Sequence, residues 1–176
     1  MTVQSQAVQV PSMTQDFKTA FGGHPAGVAI ITAGSVTGPV GITASSVASV
    51  SAEPPVLAFS LAAQTGSAAA IAVADTVIVH LLTTDDLDLA RTFASPTTER
   101  FTAAMDWIAL ETGEPLLRHG GYALRTRILS RTDVGNSLLL AAAVEDIIAP
   151  ASLGAPLVYH QRSYHGLAED TKLPAV

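Results

Sequence analysis

Hydrophobic positions in this chain fall mostly into runs of strand length, separated by glycine, proline and small polar residues. Residues 24–32 carry a β-branched run and read as a strand. A turn-rich connection over 33–38 leads into a second, bent strand from Val40 to about Val50. Pro54 and Pro55 end it, because proline has no N–H to donate to a ladder. Strands follow at 56–61, 76–82 and 138–148, the last two apolar enough to be buried. Tyr122, Leu124, Thr126 and Ile128 alternate with Arg125, Arg127 and Leu129, which predicts a strand over 122–130 with a partly polar face. Residues 157–160 and 163–166 predict a closing hairpin around Gln161 and Arg162.

Helical spacing is confined to short stretches. Ser12 and Gln15 have capping-box spacing, Phe17, Ala20 and Phe21 follow on one face, and Gly22 and Gly23 supply a stop. This predicts a helix over 13–21, packed as a lid. A second helix is expected over 67–74, with Thr65 or Ser67 as its cap. A third is expected over 87–93, capped from residues 83–86, with acids in its first turn. Residues 95–117, with Trp107 and two prolines, form a mixed excursion. Residues 1–12 read as a flexible arm, 13–167 as one domain and 168–176 as a loose tail. Six or seven strands with hairpin links and short helices predict a mainly β fold, a Greek-key barrel with helical excursions rather than a doubly wound sheet.

Composition narrows the function. Of 176 residues, 48% are hydrophobic and only 14% charged, which leaves little polar material to cover a monomer and favours an oligomer. The formal net charge is -6 and the nine Lys and Arg are scattered, so nucleic acids and anionic membranes are disfavoured partners. No cysteine is present, which excludes disulfides, thiolate catalysis and cysteine-ligated zinc, and suits a cytoplasmic protein. No run approaches the roughly 18 apolar residues of a membrane span. The first dozen residues show no signal-peptide pattern.

Conventional catalytic motifs are missing. The five histidines are too widely spaced for a metal set, and there is no Gly-x-Ser-x-Gly elbow, Rossmann fingerprint or Walker loop. Two stretches suit an anion. In the run PVGITASSVASVSAEPP over 39–55, Thr43, Ala44, Ser45 and Ser46 offer hydroxyls and amides on a bend. Gln64, Thr65, Gly66 and Ser67 open a helix whose free N–H groups favour a phosphate. The residues alone leave a serine-rich surface strand and an ordinary helix start equally open.

The same run, preceded by the Pro-x-Gly-Val core at Pro25 and followed by Leu89-Ala-Arg-Thr-Phe-Ala, Arg100-Phe101 and Pro156-Leu-Val-Tyr, resembles the flavin reductase-like, FMN-binding split-barrel family. The likeness runs from about Phe17 to Leu167. It implies a split β-barrel of the FMN-binding type, a homodimer, and FMN or FAD bound near the subunit interface. It further implies hydride transfer from NADH or NADPH, and delivery of reduced flavin to a partner monooxygenase. By that resemblance Thr43, Ala44, Ser45 and Ser46 contact the flavin ring and ribityl chain, Gln64 to Ser67 hold the phosphate, and His80 touches the cofactor.

The chain departs from the family at three places. Asn136 and Ser137 stand where a Gly-Asp-His motif associated with nicotinamide is common, His80 stands where Asn is frequent, and Ala63 and Gln64 bring no cation to the phosphate loop. Two other functions therefore stay open: a flavin carrier or sensor without nicotinamide use, and a split-barrel oxidoreductase using a deazaflavin. If the implied site is right, Ser46→Arg or Ser67→Asp abolishes flavin retention in a folded dimer. Unchanged flavin affinity in both variants would place the site elsewhere.

Overall fold

The computed structural model describes residues 12–62, 64–118 and 120–174. Its elements are α1 (Met13–Gly22), β1 (Ala26–Gly27), β2 (Ala29–Ser35), β3 (Gly38–Ala44), β4 (Ala48–Ala52), β5 (Pro55–Leu61), α2 (Ser67–Val73), β6 (Thr76–Leu81), α3 (Leu87–Ala94), β7 (Trp107–Ala109), β8 (Pro115–Leu117), β9 (Ala123–Val134), β10 (Ser137–Ile148), β11 (Leu157–His160) and β12 (Ser163–Gly166). The main sheet has seven antiparallel strands in the order β3-β2-β6-β9-β10-β5-β4. β1, β11 and β12 form a smaller sheet, and β7 pairs with β8.

That sheet cannot be flat. β3 and β4 are its two edges, yet only Ser45, Ser46 and Val47 separate them. A span of this length reaches about 14 Å at most. Seven flat strands would hold their edges about 29 Å apart. The sheet therefore curls until the edges approach, giving a mainly β split barrel with a seam between β3 and β4.

Ser46 pins the seam. It stands opposite Ser60 in the register that pairs Ala48 with Ala58. Its hydroxyl accepts from the Ser60 N–H and donates to the Ser60 carbonyl, both at 3.0 Å. A side chain thus continues the β4–β5 ladder where the backbone turns away.

Period-two alternation explains the continuous apolar runs. Ala29, Ile31 and Ala33 of β2, with Val77 and Val79 of β6, face the barrel interior and meet Phe59, Leu140 and the α2 residue Ile71. Val28 and Ile30 point the other way, into a second cluster with Phe93, Leu117 and Leu157. A strand covered on both faces carries no polar stripe.

The excursion after α3 is tied to the barrel by polar groups. The Thr32 hydroxyl donates to the Pro115 carbonyl at 2.6 Å. A hydroxyl has one proton, so the contact of 3.1 Å between Thr32 and His80 makes His80 Nε2 the donor. Glu114, only 1% exposed, pairs with Arg125 at 3.0 Å, and Arg125 also binds Glu145 at 2.7 Å. Burial pushes the Glu114 carboxyl up. Hydrogen bonds with Thr112, Thr76, its own backbone and Arg125 outweigh this and hold it below the usual glutamate value.

Three expectations are corrected. The bent strand from Val40 to Val50 is two strands on opposite edges, because the chain leaves β3 at Ala44 and crosses the seam. The strand over 24–32 breaks at Val28, which passes the chain from the small sheet to the large one. α1 is no lid: none of its residues is buried, and Met13, Phe17 and Phe21 are exposed. Its C-terminal end is tied down instead, by the Gln161 N–H to the Gly22 carbonyl at 3.0 Å and by His160 Nε2 to the Gly23 carbonyl at 3.1 Å. Apart from Ser12, the N-terminal arm lies outside the described residues. The tail includes one exposed 3-10 turn, Glu169–Thr171. Among the described residues no helix is long and apolar enough to cross a membrane.

Glu114→Gln removes one partner of a buried pair while Arg125 keeps Glu145. We expect a loss of about 1–3 kcal/mol at pH 7, read by thermal or urea unfolding. Glu114 has a depressed folded-state pKa, so its contribution is complete above the ordinary glutamate pKa of about 4 and is lost as pH falls through the folded value. The gap between wild type and variant should therefore close in acid. An equal gap at neutral and acid pH would contradict the ion-pair role.

Candidate functional site

The curl leaves a groove of about 610 Å³ along the seam. One wall is the end of β3 and the crossover, with Thr43, Ala44, Ser45 and Ser46. Another is Ser60, Leu61 and Ala62 at the end of β5. The start of α2 contributes Thr65, Gly66, Ser67 and Ala68, and residues 93–100 contribute Phe93, Ala94, Pro96 and Arg100. A smaller cavity of about 230 Å³ shares Thr43, Ala44, Ser45 and Ala94 with it and is closed by Val28, Tyr159 and Tyr164.

Local packing explains the walls. A Cβ on Gly41 would lie 2.6 Å from the Phe93 ring, so only glycine lets α3 sit this close to β3. The Thr43 hydroxyl fixes the same contact by donating to the Ala90 carbonyl at 2.7 Å. Gly66 precedes α2 with φ 55° and ψ -131°, a conformation suited to glycine, and no side chain caps the helix. Thr65 and Ser67 are therefore not caps. The Ala69 and Ala70 N–H groups bond the Gly66 carbonyl at 3.2 and 3.4 Å, and the two residues before them, Ser67 and Ala68, border the groove.

Arg100 is the only charged residue lining the groove among those described. One Nη1 contact goes to the Gly41 carbonyl at 2.9 Å and another to the Ser67 hydroxyl at 3.0 Å, while Nη2 donates to the Ser95 carbonyl. The cation stands 5.8 Å from the Phe93 ring centre. Burial lowers the Arg100 pKa, which still leaves the guanidinium charged. Three of its five N–H donors are engaged, and the buried Nε finds no partner among the described residues. The nearby Asp106 carboxylate pairs with Arg118 instead, at 3.8 Å.

Arg100 is followed by a strained residue. Phe101 has φ 58°, an outlier for a bulky side chain, costing about 1–2 kcal/mol. Its ring packs edge-on between Phe93, at 5.2 Å, and Trp107, at 5.3 Å.

The structure brings Thr43, Ala44, Ser45, Ser46, Thr65, Gly66 and Ser67 to one groove. The hydroxyls of Thr43 and Ser46 are committed to the frame, while Ser45 is exposed. Gln64 is exposed and does not line the groove. His80 is not brought there either. It is fully buried in β6, next to Ile30, on the side of the sheet covered by the excursion. Asn136 occupies the tight turn between β9 and β10 and Ser137 follows it. Leu138 pairs with Leu61, so this turn lies at the Leu61 end of the groove without lining it. Arg100 was the missed cation. The loop sequence near Gln64 holds none because the positive charge arrives from 33 residues downstream of Ser67.

The seam groove of this mainly β split barrel gathers hydroxyls and, among the described residues, one cation, and comparison with known proteins specifies the class. Residues 21–168 match the flavin reductase like domain model, and the chain belongs to that family. It is 37% identical over 153 residues to a Rhodococcus erythropolis protein named NADH:FMN oxidoreductase, covering 85% of this chain and 80% of the relative. It is 33% identical over 160 residues to the FMN reductase (NADH) RutF of Stutzerimonas stutzeri, covering 90% and 91%. The crystal structure of a flavin reductase domain protein from Arthrobacter sp. FB24 superposes with a TM-score of 0.82 at 35% identity, over 89% of this chain and 96% of that one.

His80→Leu leaves Thr32 without its donor and lowers stability by about 1–3 kcal/mol, while flavin affinity stays unchanged in the folded variant. A large loss of flavin affinity with stability intact would return His80 to the site.

Proposed function

We propose that this protein is an NAD(P)H-dependent flavin reductase that binds FMN or FAD in the seam groove and supplies reduced flavin to a partner monooxygenase. The observation that carries the reading is Arg100: a partly buried cation beside the Ser67 hydroxyl, in a groove lined by no carboxylate among the described residues, in a chain of net charge -6. The names of the Rhodococcus and Stutzerimonas relatives support the same chemistry.

The residues present fit a flavin phosphate. Arg100 keeps one Nη2 N–H beyond its bonds to Gly41, Ser67 and Ser95, and its charge strengthens any hydrogen bond to a phosphate oxygen. The Ser67 hydroxyl and the first amides of α2 would complete the phosphate end. β3 is an edge strand, so its outer polar groups face the seam rather than a neighbouring strand. With the exposed Ser45, they would orient the ring edge and ribityl chain.

Bound flavin supplies the ring that accepts a hydride from NAD(P)H. The protein's work is placement, and it requires no tuned general base. We assign Asn136 and Ser137 to the nicotinamide nucleotide; the pairing of Leu138 with Leu61, a groove residue, supports this. We further assign a cytoplasmic homodimer. Exposed apolar side chains support the dimer: Met13, Phe17 and Phe21 of α1, and Leu129 and Leu139 on the outer sheet face, are each at least 43% exposed.

Mixing purified protein with FMN or FAD and following NADH and NADPH absorbance tests the reading. Flavin-dependent consumption of at least one nucleotide is expected, from a species of twice the 18.1 kDa chain mass. Flavin binding without any nucleotide oxidation would replace the reductase with a flavin carrier.

A further inference from the structure

We infer that Phe101 is a positioning residue that aims Arg100 at the flavin phosphate; the inference rests on the seam groove being the flavin site. Arginine side chains are long and rotamer-rich, so a single well-placed guanidinium needs a fixed backbone origin. Here the origin is unusual. The chain turns into the left-handed region immediately after Arg100, at φ 58°, in a residue type that avoids it.

That conformation persists because the Phe101 side chain is held from several directions. Its ring sits edge-on between Phe93 and Trp107. It also fills the space in front of Gly41, where an added Cβ would lie 3.3 Å from Cζ. The Phe101 N–H donates to the Met105 Sδ at 3.1 Å, and the Met105 N–H to the Thr102 carbonyl at 3.0 Å, closing a turn. The anchor and the cation share a wall: Phe93 packs against the Phe101 ring and lies beneath the Arg100 guanidinium. The barrel therefore grips residue 101, and residue 100 is presented to Gly41 and Ser67 as a consequence. Backbone strain at a functional site, maintained by surrounding packing, is the expected form of such a device.

Riboflavin lacks the phosphate of FMN, so the ratio of their affinities reads the phosphate end alone. Both ligands would be titrated by fluorescence against wild type, Arg100→Ala, Phe101→Gly, Phe101→Leu and Phe101→Tyr. Arg100→Ala should cut the preference for FMN by about tenfold or more, as for a lost charge-assisted contact. Phe101→Gly, which relieves the backbone but removes the anchor, and Phe101→Leu, which keeps an apolar group without the aromatic stack, should each lose most of the same preference. Riboflavin affinity should change less than about twofold, and Phe101→Tyr should restore the ratio. Packing damage alone would weaken both ligands together. A full FMN preference in the Phe101 variants, with Arg100→Ala deficient, overturns the positioning role. A full preference in Arg100→Ala overturns the site assignment itself. If Phe101→Gly does not fold, Phe101→Leu decides by the same ratio.

Discussion

The structure depends on one short span. Ser45, Ser46 and Val47 join the two edge strands of a seven-stranded sheet, and so few residues force those edges together. Curling the sheet encloses the Phe59 and Leu140 core and creates the seam at the same time. Ser46 holds the seam by lending its hydroxyl to both backbone groups of Ser60. The groove is thus a product of closure rather than an addition to a finished barrel.

A second constraint brings charge to that groove. The segment between α3 and β9 leaves the barrel, lines the seam groove with Pro96 and Arg100, and returns. Thr32 and His80 secure its return at Pro115, and Arg125 secures it at Glu114. Between those anchors and α3, Arg100 reaches back to Gly41 and Ser67. A remote buried ion pair and a half-buried arginine therefore serve one geometry. The flavin reductase chemistry asks little else of the protein, since orientation of two rings is its main task.

Much of this was legible in residue order. Apolar runs bounded by turn residues placed most strands, because burial on both faces removes polar alternation without shortening the run. The stretch from Thr43 to Ser46 and the helix start at Ser67 were found by their hydroxyls and free amides, and they do share a groove. The division of residues 40–50 into two edges was invisible, since strand pairing is a long-range choice that local pattern does not record. His80 sits in an apolar strand, and its sequence gives no sign of which face it occupies. Arg100 was hidden for a different reason. Its partners are 59 and 33 residues away, and a positive φ at phenylalanine has no local signature.

The central claim is that the seam groove holds flavin with its phosphate between Arg100 and the start of α2. A crystal structure of the protein with FMN tests it most directly. We expect phosphate oxygens about 3 Å from the Arg100 guanidinium and the first α2 amides, with the ring edge along β3 at Ser45. Ordered FMN bound elsewhere, with Arg100 still bonded only to Gly41, Ser67 and Ser95, would contradict it.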